Sequence, residues 1–505
     1  MKSLKKIIGA CLMLVATLPL MQAEHLVVLA VNDTHSQIDP AADGKGGILR
    51  RRAIYDNERR AHKNVLVVHA GDAVQGTNYF SLYGGAVEYA AIDSLGYDMI
   101  IMGNHELDNG IDSLAHYYNH VKAVKLSANY DLSASPLKGF VPYSVRAYGD
   151  KRVAFFGINV NPAGMVSQGH YNGLRFLEPM QVADATARYL KQVQKVDYVV
   201  MISHIGYDSM EPSEPNDSIV AATSHYIDFI IGGHSHTVIA PGSKQSLVHN
   251  ADGKIVVIGQ NGKSGKLVGK YDLDLETGKV TYSHITVDNT WDRAAQAYPA
   301  FQSWLARYKA GVDSLENNPV ATSARYMPNS SWAAQNWLAD AVDAIIAKLY
   351  KGGKKVDLCI MNKGGIRLDM PKGTVTEGLL QSMFPFDNRF MVLEVSGQDL
   401  LDAFKTMAYR GGDVVSRNVK VVYDKNCNIV SARINGKAVK PAARYLLATI
   451  DFLYNGGDYM TSLKNGKVLY KDDQRYGRHM LDYVKSLSQQ GKTIDASDEP
   501  RFRQR

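Results

Sequence analysis

A two-domain α/β protein is what this sequence predicts, and three observations carry the prediction. The chain has 505 residues, beyond the size at which a single hydrophobic core keeps growing. Its first half repeats one arrangement, a short β-rich apolar run that stops abruptly at a polar cluster, with helix-patterned segments between the runs. Its second half changes rhythm to amphipathic helices and strands that lead into Gly-rich and aromatic loops, an α+β pattern. A composition of 45% hydrophobic and 21% charged residues supplies ample apolar material for both cores.

The opening stretch, residues 1–23, has a basic start, an apolar middle and a small residue, Ala23, before charged Glu24. It reads as a secretory signal, so the protein is expected in a periplasm or outside the cell. Cys11 after Ile8-Gly9-Ala10 faintly resembles a lipidation site, but the apolar run continues past it, which favours simple cleavage near Ala23. Loss of Lys2, Lys5 and Lys6 with the leader takes the formal charge from +7 to +4, too weak a bias to argue for nucleic acid. Cys359 and Cys427 are too few for a disulfide framework, and Cys359, within Val-Asp-Leu-Cys-Ile-Met, is expected to be a buried thiol. No later segment approaches the ~20 apolar residues of a membrane span. Nothing in the sequence sets an oligomeric state.

Residues 24–290 form the first expected domain, and five runs define it. They are His25–Val31 before Asn32-Asp33-Thr34-His35, Val65–Ala70 before Gly71-Asp72, and Tyr97–Met102 before Gly103-Asn104-His105-Glu106. Asp197–Ile202 before Ser203-His204 and Asp228–Ile231 before Gly232-Gly233-His234-Ser235-His236 complete the set. Ligands of α/β sheets collect beyond the C-terminal strand ends, so five such clusters, in an order one sheet can accommodate, converge on one place. What converges is a set of oxygen and nitrogen donors: Asp33, His35, Asp72, Asn104, His204, His234 and His236. Seven donors exceed the needs of one tetrahedral ion and suit two ions that share a carboxylate, with Asp72 as the expected bridge. The absence of cysteine ligands argues against a structural zinc knuckle, and the donor mixture suits zinc, manganese, cobalt or iron. Each cluster alone has a plainer reading, as a chance match, a helix cap or a core histidine. Their recurrence at one type of strand end is what favours metal.

His105 sits beside Asn104 at a strand end, where successive side chains diverge, so it is expected next to the metals without binding them. An imidazolium there suits the proton needed by the leaving alkoxide of a phosphate ester. Asp108 can fold back onto His105 to orient it, or cap the helix that begins near Asn109, and the two roles can coexist.

Residues 291–318 read as a linker helix, or equally as the last helix of the first domain. The second domain, 319–505, opens with an amphipathic helix that places Trp337, Ala341, Ala344, Ile345 and Leu349 on one face. The strand around Cys359 runs into Asn362-Lys363-Gly364-Gly365-Ile366-Arg367, where both glycines leave N–H groups free for an anion and Arg367 offers a charged fork. Phe386 precedes Asn388 by two residues, and Phe452 precedes Asp458 by six with Gly456 and Gly457 between. Two phenylalanines on separate loops can sandwich a planar base while Asn388 and Asp458 meet its polar edges, and the plainer reading makes both rings core.

The motifs NDTHSQI, GDAVQGT, GNHELDNG, SHIGYD and IGGHSH together resemble the calcineurin-like metallophosphoesterase superfamily, and more narrowly its secreted two-domain 5′-nucleotidases. In the second half NKGGIR, FPFDN and FLYNGGDYM resemble the substrate-binding domain of the same enzymes. The resemblance implies an α/β sandwich with its dimetal site at the strand ends, and a C-terminal α+β domain that clasps the nucleotide. It implies that Asn362 and Arg367 touch the phosphate or ribose side and that Phe386 and Phe452 stack on the base. It also implies a rotation between the domains, for which a joint near 310–320 would serve. The expected activity is metal-dependent hydrolysis of nucleoside 5′-monophosphates. Cyclic 2′,3′-nucleotides and nucleotide sugars are the alternative substrates for the same metals. An inorganic sulfur substrate would leave both phenylalanines idle, and a non-enzymatic sensor would lack a ligand or the acid, whereas every expected position is filled. Three departures stand out: Lys363 replaces a glycine, NSSWAAQN replaces an Arg/Glu stretch for which Arg325 is the nearest substitute, and Ser416-Arg417 replaces a Ser-Gly pair.

Overall fold

Along His25–Val31, side chains alternate between two buried faces. Leu26, Val28 and Ala30 join one core, while Val27, Leu29 and Val31 join another. A strand covered on both sides needs a continuous apolar run, which explains why these segments show no polar alternation. The computed structural model describes residues 24–208 and 215–505, so the leader assigned to 1–23 lies outside the described residues.

The first half is a sandwich of two sheets. One has seven strands in the order Val280–Thr286, Leu267–Asp274, His25–Val31, Val65–Ala70, Met99–Ile101, Val124–Leu126, Phe140–Val141. The other has six, ordered Leu247–His249, Ile255–Gly259, Phe229–Ile231, Tyr198–His204, Lys151–Asn159, Tyr143–Tyr148. The expectation that one sheet accommodates all five ligand-bearing strands is corrected here, because three belong to the first sheet and two to the second. Strand pairing depends on partners remote in sequence, and two parallel sets stacked face to face bring their C-terminal ends to a common edge just as one sheet would. Leu26, Val28 and Val68 from one sheet pack with Phe155, Val199 and Phe229 from the other.

Helix Pro299–Glu316 lays Leu305 and Val312 into the outer core of the first half, with Phe301, Trp304 and Tyr308 against it. It also contacts helix Glu377–Met383 of the second half.

The second half has its own core, running from Ala321 to Phe502. A five-stranded sheet orders Val414–Val415, Leu358–Met361, Arg444–Ile450, Arg389–Ser396 and Lys467–Arg475, and a four-stranded sheet lies beside it. Helix Trp332–Leu349 starts where the Ser331 side chain accepts from the Ala334 N–H, and it buries Trp337, Ala341 and Ile345. Cys359 is fully buried with a free thiol, as its apolar setting predicts. No helix among the described residues is long and apolar enough to cross a membrane.

Candidate active site

The strand-end clusters meet at one edge of the sandwich, and the backbone pays a conformational cost to bring them there. Asp33, His35, Asp72, His234 and His236 all have left-handed φ angles, between 47° and 79°. Such conformations are unfavourable for residues with a Cβ and persist only where the surroundings over-determine them, as at functional sites. Gly103 shows how tight the cradle is. A Cβ there would lie 2.2 Å from Asp72 Oδ1 and 2.5 Å from His204 Nε2.

Asp33, His204 and His35 each have an outer atom tied back and an inner atom aimed at the centre. Asp33 Oδ2 accepts from the Asn32 side-chain amide at 2.6 Å and from the His234 N–H at 2.9 Å, which leaves Oδ1 facing inward. His204 Nδ1 is bonded to the Ala70 carbonyl at 2.6 Å and His35 Nδ1 to the Gln75 carbonyl at 3.0 Å, so both Nε2 atoms face in. Partners of this kind fix ring orientation and tautomer in metal-binding histidines. The inward atoms fall into three groups. Asp33, His35 and His236 form one, with the two Nε2 atoms 2.9 Å apart; Asp72, His204 and His234 form another, with Asn104 Oδ1 3.0 Å from His234 Nδ1; and His35, Asp72 and His105 form a third that shares one residue with each, so His105, expected beside the metals, lies within reach of the same centre.

The electrostatics fit cations. Asp33 Oδ1 and His204 Nε2 are buried and make no well-aligned hydrogen bond; their nearest partners are His236 Nε2 at 3.3 Å and Asp72 Oδ2 at 3.1 Å, a crowding of donors that a cation would relieve. Burial opposes charge on Asp33 and Asp72, yet the neighbouring imidazoles, His204 foremost, hold both carboxyls below their ordinary range. His204 is pushed the other way, to about 10, because Asp72 and Asp33 outweigh its burial. His35 and His234 are driven down, His234 to about 4, by burial first and by neighbouring imidazoles, which keeps them neutral and ready to ligate. A divalent cation would take the place of the proton on His204, and the donors left over have the chemistry to hold a second.

His105 stands beside this centre and presents Nδ1 to Asp108 Oδ2 at 2.8 Å. Burial works against its charge, but Asp108 and then Asp72 raise its pKa. Of the two roles open to Asp108, orientation is the one present: the helix Ile111–Tyr118 has Gly110 at its N-cap and no side-chain cap.

The second half closes over this centre. Arg367 reaches across to Gln75 Oε1 at 3.3 Å and to His105 Nε2 at 3.5 Å, and the Phe386 ring stacks on His105 with centroids 6.3 Å apart. The Arg367 guanidinium lies 5.6 Å from the centre of that ring. A cleft of about 1440 Å³ runs between the halves, lined by Asp72, Asn104, His105, Asp108, His234 and His236 on one side. Asn362, Gly364, Arg367, Phe386, Asn388, Phe452 and Asp458 line the other. Phe386 and Phe452 are therefore half-buried wall rather than core, and the Phe452 ring rests over Gly457, where a Cβ would come within 2.5 Å.

Some details differ from the sequence reading. The Gly365 N–H donates to the Asn362 carbonyl in a tight turn, so it is not free for an anion, while Gly364 remains exposed at the cleft. Arg325 pairs with Asp495 and does not line the cleft. Arg417 pairs with Asp340 at the surface, and the Ser416 hydroxyl accepts from the Cys359 N–H. Glu106 went unassigned by sequence, yet its carboxylate accepts from the N–H groups of Asp72, Ala73 and Gly103 and so clamps two ligand loops together. Burial, reinforced by Asp72, lifts its pKa to about 7. Its place directly after Gly103-Asn104-His105 was the available signal.

A sandwich that gathers Asp, Asn and His donors at its strand ends, with a half-buried histidine–carboxylate pair alongside, defines a metal-dependent phosphoesterase. Comparison with known proteins makes this narrower. The family model for calcineurin-like phosphoesterases matches residues 26–238, and that for the 5′-nucleotidase C-terminal domain matches 314–465. The chain belongs to the metallophosphoesterases that carry a 5′-nucleotidase C-terminal domain, and is a phosphoric ester hydrolase. An apyrase from Tabanus yao is 26% identical over 95% of this chain and 93% of its own. A 5′-nucleotidase from Homo sapiens is 26% identical over 88% of this chain and 86% of its own. The crystal structure of a 5′-nucleotidase precursor from Thermus thermophilus superposes with a TM-score of 0.81 at 26% identity, covering 95% of this chain and 99% of that one.

Proposed function

We propose that the protein hydrolyses nucleoside 5′-monophosphates to nucleoside and phosphate with two divalent cations, zinc, manganese, cobalt or iron. The observation that carries this reading is one cleft lined by Asp and His donors on one wall and by Phe386 and Phe452 on the other. Asp33, His35, His236 and Asp72 would hold one ion; Asp72, Asn104, His204 and His234 would hold the other. Bound there, the cations supply positive charge for the phosphoryl oxygens and an activated water. Arg367 adds a charged fork to the same phosphate. His105, oriented by Asp108, donates its proton to the leaving ribose oxygen. Phe386 and Phe452 stack on the base, and Asn362, Asn388 and Asp458 engage ribose and base edges. The leader pattern of residues 1–23 supports a role in nucleotide salvage outside the cytoplasm, with 24–290 catalytic, 291–318 the joint and 319–505 the substrate-binding part.

The test is phosphate release from AMP by residues 24–505, stripped with chelator and then resupplied with manganese or zinc. Release that disappears with the chelator and returns with the metal is expected. Metal-dependent release from an aryl phosphate but not from AMP would leave the phosphoesterase and remove the nucleotidase. One observation favours a second reading: a cleft of about 1440 Å³ is larger than most small-molecule sites. It has room for a nucleotide sugar, which would be cleaved at its pyrophosphate, and a 2′,3′-cyclic nucleotide is the further alternative. Profiling these substrates beside AMP separates the three.

A further inference from the structure

Behind Asp458 lies a charged network that the metal chemistry does not use. Arg410, at the C-terminal end of helix Gly397–Tyr409, places Nη1 2.9 Å from Asp458 Oδ1 and Nε 3.4 Å from Asp413 Oδ2. The other Asp458 oxygen, Oδ2, accepts from the Asn362 side-chain amide at 2.8 Å. Asp413 is almost completely buried and also accepts from the N–H groups of Lys363 and Val414. The Lys363 ammonium donates to the Arg410 carbonyl, capping the helix end where a cation is favoured. Lys363, the residue that departs from the family's glycine, thus holds Arg410 from behind. Burial alone would weaken the charge on Arg410, but the Asp458 and Asp413 carboxylates outweigh it and raise its pKa.

The segment being held is strained. Asp458 and Tyr459 both occupy the left-handed region, at φ 53° and 62°, and neither is glycine. The Asp458 N–H donates to the Gly164 carbonyl of the first half at 2.7 Å, and Gly164 packs beneath the Tyr459 ring. A strained turn keeps its shape only while its contacts specify it. Arg410 supplies the only cation bonded to the Asp458 carboxylate among the described residues.

We propose that Arg410 is a positioning residue for the sugar: it fixes the Asp458 carboxylate where ribose hydroxyls meet it, and so sets a preference for ribonucleotides over 2′-deoxyribonucleotides. The inference rests on the nucleotidase reading above, in which Asp458 engages the ribose. Two hydroxyls that donate to a fixed carboxylate gain more than two that must first recruit a swinging one, and loss of the 2′-hydroxyl forfeits that gain.

The experiment compares steady-state hydrolysis of AMP, 2′-deoxy-AMP and p-nitrophenyl phosphate by the metal-loaded wild type, Arg410→Met and Arg410→Lys. The wild type is expected to prefer AMP over 2′-deoxy-AMP. Arg410→Met is expected to lower kcat/KM for AMP about tenfold, chiefly through KM, and to shrink the AMP to deoxy-AMP ratio about fivefold, with part of the ratio restored by Arg410→Lys. An unchanged ratio, or equal losses on all three substrates, would overturn the proposal, because a merely structural arginine would not distinguish the sugars. Should Arg410→Met fail to fold, Lys363→Met cuts the tether on the Arg410 carbonyl and carries the same ratio test with a smaller expected change. A wild type that cleaves the aryl phosphate but neither nucleotide overturns the nucleotidase reading itself.

Discussion

The two walls of the cleft are built in opposite ways. On the first wall Asp33, His35, Asp72, Asn104 and His204 are buried, five of the seven donors sit on left-handed backbone, and glycine is required at 103 by close approach. On the second wall Arg367, Phe386, Phe452 and Asp458 are half-exposed, on loops that lead from a separate core. The first wall tolerates no displacement, because buried charges and orphaned ligand atoms make any misfit costly. The second wall works by contact area and a few polar edges, so its changes grade affinity instead of abolishing chemistry. Departures from the family pattern at Lys363 and Ser416-Arg417 fall on the second side, where the structure can absorb them.

Substitutions on the two walls should therefore differ in kind. The largest effect is expected from Gly103→Ala, whose Cβ would sit 2.2 Å from Asp72 Oδ1. Metal content measured by mass spectrometry should collapse together with turnover; a variant that keeps both would show the cradle to be looser than its geometry. His105→Ala should cost about 10²–10⁴-fold in kcat with little change in KM, as removal of a general acid does. Glu106→Gln should weaken metal affinity about 10–100-fold, read by chelator titration, because it loosens the N–H groups that hold Asp72 and Gly103. Asp108→Asn tests the pH dependence. In the proposed role His105 acts while protonated, and Asp108 is the foremost charge raising its pKa, so the variant should lose activity at lower pH than the wild type on the alkaline side. An alkaline limb that does not move would detach Asp108 from the proton donor. The smallest effect is expected from Phe386→Ala, about 1 kcal/mol of lost base stacking, the low end for such contacts, seen in KM for AMP.

Much of the first half was legible because its signals are local. A run such as His25–Val31 declares a doubly covered strand by itself, and each ligand cluster sits within a few residues of its strand end. The division of those strands between two sheets was not legible, since a strand does not name its neighbour. Glu106 escaped for a related reason: a lone glutamate in a turn resembles many others, and what distinguishes it are three N–H groups drawn from two loops. In the second half Phe386 and Phe452 were ambiguous between core and cleft, and only the contact with His105 and the fold over Gly457 place them on the wall. Arg410 gave no signal, because its role depends on Asp413, Asp458 and Lys363 meeting from three separate loops.

In the proposed division of labour the first half performs phosphate chemistry on a nucleotide chosen by the second. Phe452→Ala separates the two when kcat/KM for AMP is compared with that for p-nitrophenyl phosphate, which has no base to stack. A loss on AMP of about 1–3 kcal/mol, carried by KM, is expected, with the aryl phosphate far less affected. Equal losses on both substrates, or none on AMP, would contradict it.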